Sequence, residues 1–206
     1  TEEEALYSVL KETLIRRFEN PVDLENDRRI TDWKEVHKSF SSNPNKFPPA
    51  HIALLKRIQK QQTEIPFINS VVAVMNTVSI ENILPVGGDD IISPESTYML
   101  TFSDGTENFI PLGTPDKSER PDEGEVIYLI DEAKEVMCRR WNWRNSDRTK
   151  ITEKTENIIM NIDAVGQGSD ERAEKARDMV AEMLEKYCGA QIFKTILTPE
   201  YSRHVF

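Results

Sequence analysis

Apolar residues return every three or four positions at the start of the chain. Leu6, Val9, Leu10, Leu14 and Phe18 share one side of a helix that ends near Asn20-Pro21. Asp32, with Glu35 three residues on, reads as a capping box opening a second helix, with Ile30, Trp33, Val36 and Phe40 along one face. Ser41 to Pro49 holds three prolines and two asparagines and reads as a loop. A third helix follows from about His51, with Ile52, Leu55 and Ile58 inward and Lys56, Arg57 and Lys60 outward. In that pattern His51 is a first-turn surface residue. Ile65 to Ile68 reads as extended around Pro66. Asn69 is a suitable N-cap for the run Val71, Val72, Val74, Met75, Val78, which is apolar nearly all round and so reads as buried, with a strand as the alternative. Leu84 to Asp90 breaks that element. Its Gly87-Gly88 pair fits either a plain turn or a close approach of the backbone to a ligand.

From Thr97 the period falls to two. Thr97 to Phe102 and Glu107 to Ile110 flank Ser103-Asp104-Gly105-Thr106, a hairpin signal. Glu125 to Ile130, Glu135 to Trp143 and Asn157 to Ile162 are further strands. Along the second of these, Arg139, Trp141 and Trp143 would share one face and Arg140, Asn142 and Arg144 the other. Ser169 reads as the N-cap of a last long helix that buries Ala173, Ala176, Val180, Met183, Leu184 and Tyr187 and ends at Gly189. Gln191 to Leu197 reads as a closing strand. The sum is an α+β fold in a single domain over 1–206, with N-terminal helices to about 62, a core over about 63–165 and a C-terminal helix and strand from about 166.

Charge singles out one stretch. The chain carries a formal net charge of −10, yet residues 138–150 hold Arg139, Arg140, Arg144, Arg148 and Lys150 against Asp147 alone, together with Trp141 and Trp143. Guanidiniums, flat π faces and the Asn142 amide suit a ligand with phosphates and stackable rings. Equally, the tryptophans could anchor the core while the arginines answer neighbouring carboxylates. The acidic balance disfavours broad binding of nucleic acid, DNA included, but a local site is shielded from distant charges by salt. Two cysteines and three scattered histidines give neither a disulfide framework nor a metal site, and no cofactor motif is present. No apolar run reaches the roughly 20 residues of a membrane span and no signal peptide is visible, so cytoplasm is the expected location.

Several segments in order carry a resemblance: Ile65-Pro66-Phe67-Ile68-Asn69, Leu84-Pro85-Val86-Gly87-Gly88-Asp89-Asp90, Pro111-Leu112-Gly113, Gly124 to Tyr128, Cys138 to Thr152, and Thr155-Glu156-Asn157. Together they resemble free-standing relatives of the tRNA-editing domain of the phenylalanyl-tRNA synthetase beta chain, over roughly residues 30 to 165. The resemblance implies a layered, sandwich-like α+β domain of antiparallel or mixed sheets with flanking helices. It implies an aminoacylated tRNA 3′ end as partner and hydrolysis of a mischarged ester as activity. No aminoacylation motif is present, so the chain is not expected to activate amino acids. By this resemblance Asn142 and Asp147 are candidate catalytic residues. Asn69, Gly87, Gly88, Asp89, Arg139, Arg140, Trp141, Trp143, Arg144, Arg148 and Lys150 are candidates for substrate binding.

The departures limit what carries over. The synthetase domain has a histidine where this chain has Gly87, and its substrate-reading glutamate falls near Asp147 in an ungapped reading back from Thr155. Family members tend to have Asp where Ala73 stands, and an N-terminal strand segment is missing. The synthetase domain acts on tyrosine wrongly esterified to the tRNA for phenylalanine, and with these departures that specificity for tyrosine does not transfer. The alternative to a deacylase is a binding module without catalysis, directed at RNA or an amino-acid-like molecule.

Overall fold

The computed structural model describes residues 1–60 and 65–205, so the boundary expected near 62 lies outside the described residues. Four helices come first: α1 (Glu2–Glu19), α2 (Arg28–Ser39), α3 (Ala50–Gln59) and α4 (Ser70–Asn82). Strands β1 (Val86–Asp90), β2 (Tyr98–Phe102), β3 (Val126–Ile130), β4 (Glu135–Arg139), β5 (Arg144–Asn145) and β6 (Ile158–Ile162) follow, and α5 (Ser169–Cys188) closes the series. β1 and β6 form an antiparallel pair; β2-β3-β4-β5 form a second, antiparallel sheet. The α+β class read from the sequence is the class observed.

Three apolar clusters organise these elements. The largest joins α1, α4 and α5 to β1, through Leu6, Leu10, Val74, Val78, Val86, Val180 and Leu184, with β6 packed against it. α4 is apolar all round because it runs through this cluster, and Asn69 caps it by accepting the Val72 N–H at 2.9 Å. A second cluster packs α2 and α3 around Trp33, with Trp141 against it. A third lies on the second sheet around Phe109, Ile127, Leu129 and Val136.

Several local expectations change. α2 starts four residues before the Asp32 box: Asp27 is the N-cap and accepts the Arg29 N–H, so Asp32 lies inside the helix. Gly87 and Gly88 are strand residues, paired with Asn161 and Met160, and not a turn; the reversal falls earlier, at left-handed Ile83 and the bend at Leu84. The Ser103–Thr106 turn exists, with Glu107 accepting from the Ser103 hydroxyl and the Asp104 and Gly105 amides. It does not make a hairpin, because β2 pairs with β3 while Asn108 bridges to Glu135 on β4. Gly168, not Ser169, is the N-cap of α5. The segment 191–197 has no strand; Ile192 packs against the α1–α4–α5 cluster and Lys194 pairs with Asp178.

The most consequential change is at the end of β4. The strand stops at Arg139, and Arg140 and Trp141 both adopt positive φ, at 48° and 64°. The chain then reverses, and Arg139 pairs with Arg144 across a tight connection to β5. The expected alternation of faces over 139–144 is therefore absent.

Candidate functional site

Arg139 and Arg140 are both nearly buried, and carboxylates from one upstream segment meet them. Arg139 donates from Nε and Nη2 to the two oxygens of Glu125, at 2.9 and 2.7 Å, and from Nη1 to Glu119 at 3.3 Å. Glu125 also accepts the Arg140 backbone N–H at 2.9 Å, which holds the strained turn from below. Arg140 donates to Asp122, and its guanidinium lies 3.9 Å from the centre of the Phe47 ring. Such a planar fork matches a carboxylate with two parallel hydrogen bonds. The acidic run Glu119, Asp122, Glu123, Glu125 was legible in the sequence, but nothing local linked it to the arginines.

The tryptophans divide. Trp141 meets Trp33 edge-on at 5.1 Å inside the α2–α3 cluster. Trp143 meets Phe47 edge-on at 4.6 Å and is partly buried, with Arg144 alongside it and 3.8 Å from Glu119. Asn142 is buried between α2 and α3: its backbone carbonyl accepts the Ala50 N–H, and its Oδ1 accepts from His37 Nε2 at 3.2 Å. His37 and His51 both lie against Trp33, and both are fully buried, so His51 is a core residue and not a surface one. Burial holds the His37 pKa down to about 4, with the Asn142 hydrogen bond opposing, and that of His51 to about 3.

Asp163, just past β6, completes this polar interior, and sequence reasoning missed it. Its carboxylate accepts from the Tyr128 hydroxyl at 2.6 Å. Burial pushes its pKa up to about 6, moderated by Tyr128 and by the nearby Trp141 and Asn142 N–H groups, which come close without completing an ordinary hydrogen bond. No motif marks this aspartate. Only the turn after a β-strand could have drawn attention to it.

A separate set of candidates meets where segment 147–152 crosses β1 and the start of α4. Asp89 is buried and accepts from the Thr149 hydroxyl, while the Asp90 N–H donates to the Thr149 carbonyl at 2.8 Å. Burial lifts the Asp89 pKa to about 7 against the pull of that hydroxyl. Asn69 Nδ2 reaches the Ile151 carbonyl at 3.4 Å. Gly88 lets Ile151 and Met75 close in: a Cβ there would sit 3.2 Å from Ile151 Cδ1 and 3.1 Å from Met75 Sδ. At Gly87 a Cβ would meet only Asn161 Nδ2, at 3.8 Å. Asp147 accepts from the Gly113 N–H at 2.9 Å and from Lys150, which together hold its carboxyl below the usual range. Arg148 is exposed beside them.

The structure thus brings Asn69, Gly88 and Asp89 together with the 147–151 segment, while Gly87 faces Asn161 of β6. It gathers Arg139, Arg140, Trp141, Asn142 and Trp143 around α2, α3 and the 119–125 segment instead. Among the described residues no group of three or more His, Cys, Asp and Glu could hold a metal ion, and no helix is long and apolar enough to cross a membrane. Both cysteines are free, and the Cys138 thiol is buried.

In class, this is an α+β domain with two polar constellations: one buried and ion-paired, the other a strand crossing whose Asn69, Asp89 and Thr149 are buried while Arg148 and Lys150 are exposed beside it. Residues 32–189 match the family model of the B3/4 domain, and the chain belongs to that family, whose domain is found in the phenylalanyl-tRNA synthetase beta subunit. No curated protein and no solved structure matches the chain.

Proposed function

We propose that the chain is an RNA-binding, trans-acting aminoacyl-tRNA deacylase, which hydrolyses the ester between a mismatched amino acid and the tRNA 3′ end. The observation that carries this reading is the Asp89–Thr149 tie, which pins segment 147–151 across β1 beside Asn69 and Gly88. That crossing offers an ionised carboxylate and two exposed cations at one edge of a family member's fold.

In this reading Arg148 and Lys150 neutralise phosphates of the terminal nucleotides. Trp143, with Arg144 alongside, presents a ring face for stacking on a base. Asp147 pairs with the α-ammonium of the aminoacyl group, which aligns the ester carbonyl for attack. A water adds to that carbonyl carbon, the bond to the ribose oxygen breaks, and the ribose oxygen takes up a proton. The products are a free amino acid and an uncharged tRNA. An aminoacyl ester is already activated, so orientation and exclusion of the wrong side chain supply the needed rate without a dedicated nucleophile. Gly87 lines the amino-acid side of the site. Arg139, Arg140, Trp141 and Asn142 are positioning residues that hold the 140–143 turn under Trp143.

One observation favours the second reading, a binding module without catalysis. The arginines expected to meet phosphates, Arg139 and Arg140, are already satisfied by Glu125, Glu119 and Asp122. Purified protein incubated with a panel of mischarged tRNAs separates the two. Ester loss above the spontaneous rate for at least one tRNA supports the deacylase; tight binding with no acceleration for any of them supports the module.

A further inference from the structure

The basic stretch that stands out in the sequence is largely used up internally, Arg148 excepted; a larger set of unpaired cations lies elsewhere. Residues 28–60 hold eight Lys and Arg against two acids, a formal +6 in a chain of −10. Arg29 pairs with Asp27. Lys38, Lys46, Lys56, Arg57 and Lys60 have no carboxylate within ion-pair distance among the described residues. Resting on the RNA-directed reading above, we propose that α2, α3 and the 43–47 loop between them form a second docking surface, which follows the phosphate backbone of the RNA body away from its reactive end.

The geometry ties these cations to one place. A groove of about 600 Å³ is lined by Lys34, Asn45, Lys56 and Gln59 on one side and by the 21–25 loop on the other. Lys34 and Lys56 open onto the same groove from different helices. Helical spacing then sets Lys38 one turn beyond Lys34 and Lys60 one turn beyond Lys56 on that same side. Asn45 lines the groove and Lys46 follows it. The 21–25 loop is fastened by Lys34 donating to the Leu24 carbonyl and Gln59 to the Val22 carbonyl. Asp23 and Glu25 line that loop's side, and Asp23 is held ionised by the Asn26 side chain and nearby amides. The floor is therefore balanced in charge, and the excess lies on the rim at Lys38, Lys46 and Lys60. That suits a chain of phosphates crossing the rim better than a lone anion inside the groove.

An aromatic link joins this rim to the proposed site. Phe47 carries Lys46 Nζ 5.0 Å from its ring centre and Arg140 at 3.9 Å, and it meets Trp143 edge-on. A strand on the rim would thus continue towards the partly buried Trp143. RNA fits this face better than an acidic protein does. Protein interfaces deplete Lys at their centre and place apolar anchors there, and none of the exposed large hydrophobic residues falls within 28–60.

The test measures binding of uncharged tRNA over a salt series, for wild type, for Lys38→Glu/Lys46→Glu/Lys60→Glu, and for a charge-matched control, Lys11→Glu/Lys154→Glu/Lys175→Glu. Uncharged tRNA makes the readout independent of ester hydrolysis, so failure of the deacylase reading leaves it intact. The rim variant, with unchanged circular dichroism, is expected to lose at least tenfold in affinity. Its slope of log K against log salt should shrink by about 2 to 3, at roughly 0.7 to 0.9 for each phosphate that is no longer neutralised. The control should stay within twofold of wild type. Equal losses in both variants, no loss in either, or no binding by wild type at low salt overturns the proposal. Competition by polyglutamate as effective as that by RNA also overturns it, in favour of an acidic protein partner.

Discussion

Glu125 and Arg139 form a buried, two-bonded ion pair, 2.9 and 2.7 Å long, beneath the turn that ends β4. The same carboxylate accepts the Arg140 amide, so one glutamate neutralises a charge and secures a left-handed turn. Removing one partner of such a pair leaves the other charge buried, at a typical cost of about 3 to 5 kcal/mol. Glu125→Ala is accordingly expected to lower the free energy of unfolding by about that amount in urea titrations. A change below about 1 kcal/mol would show that Glu119 and Asp122 already satisfy both arginines.

The paired glycines of β1 should behave differently from each other. Alanine at Gly88 forces a methyl group against Met75, Ile151 and Met160, and overpacking of this kind costs about 1 to 3 kcal/mol. Alanine at Gly87 meets only ordinary contact and should change stability by less than about 0.5 kcal/mol. Thermal denaturation of the two variants side by side checks the ordering, and Gly87→Ala then becomes a clean probe of whether this edge receives the amino acid.

Asn142 ties α2 to α3 through His37 and Ala50. Asn142→Ala strips the His37 N–H of its acceptor in the interior and should cost about 1 to 3 kcal/mol. If Asn142 is a positioning residue, its loss lowers stability and tRNA affinity together. A variant that keeps its stability but loses hydrolysis would instead put Asn142 in contact with the reacting ester.

Two kinds of buried group give stability opposite dependences on pH. The folded pKa values of His37 and His51 lie near 4 and 3, below the usual 6.5, so their contribution is full above pH 6.5 and is lost as the pH falls towards those values. Asp89, raised from 3.8 to about 7, works the other way: its contribution is full below about pH 4 and is lost as the pH rises through 7. Asp89→Asn keeps a partner for Thr149 and removes the second dependence. Relative to wild type, the variant should gain stability with rising pH between about 4 and 7, by up to about 1.4 kcal/mol per unit. Parallel pH profiles would show that Asp89 is already ionised in the folded protein.

Where neighbours in sequence determine the structure, the sequence could be read. The stripe Leu6, Leu10, Leu14 marks α1, Asn69 marks the start of α4, and Gly189 marks the end of α5. The reading failed where distant segments decide. Arg140 and Trp141 carry no mark of positive φ, since neither is Gly or Asn; the conformation is held by Glu125 and by the packing of Trp141 on Trp33. His51 looked exposed because its neighbour Trp33 comes from α2, distant in sequence. Of the site, the Asn69, Gly87 and Asp89 group was legible as types of residue. The hydroxyl of Thr149 that joins it to the 147–151 segment was not.

Single-turnover hydrolysis of mischarged tRNA by the intact protein tests the proposed activity most directly. At micromolar protein, at least one tRNA of the panel should lose its aminoacyl ester faster than it does spontaneously, and Asp147→Ala, with an unchanged circular-dichroism spectrum, should slow that loss tenfold or more. Spontaneous rates for every tRNA in the panel, or a rate indifferent to Asp147→Ala and Gly87→Ala alike, would contradict a deacylase centred on this edge.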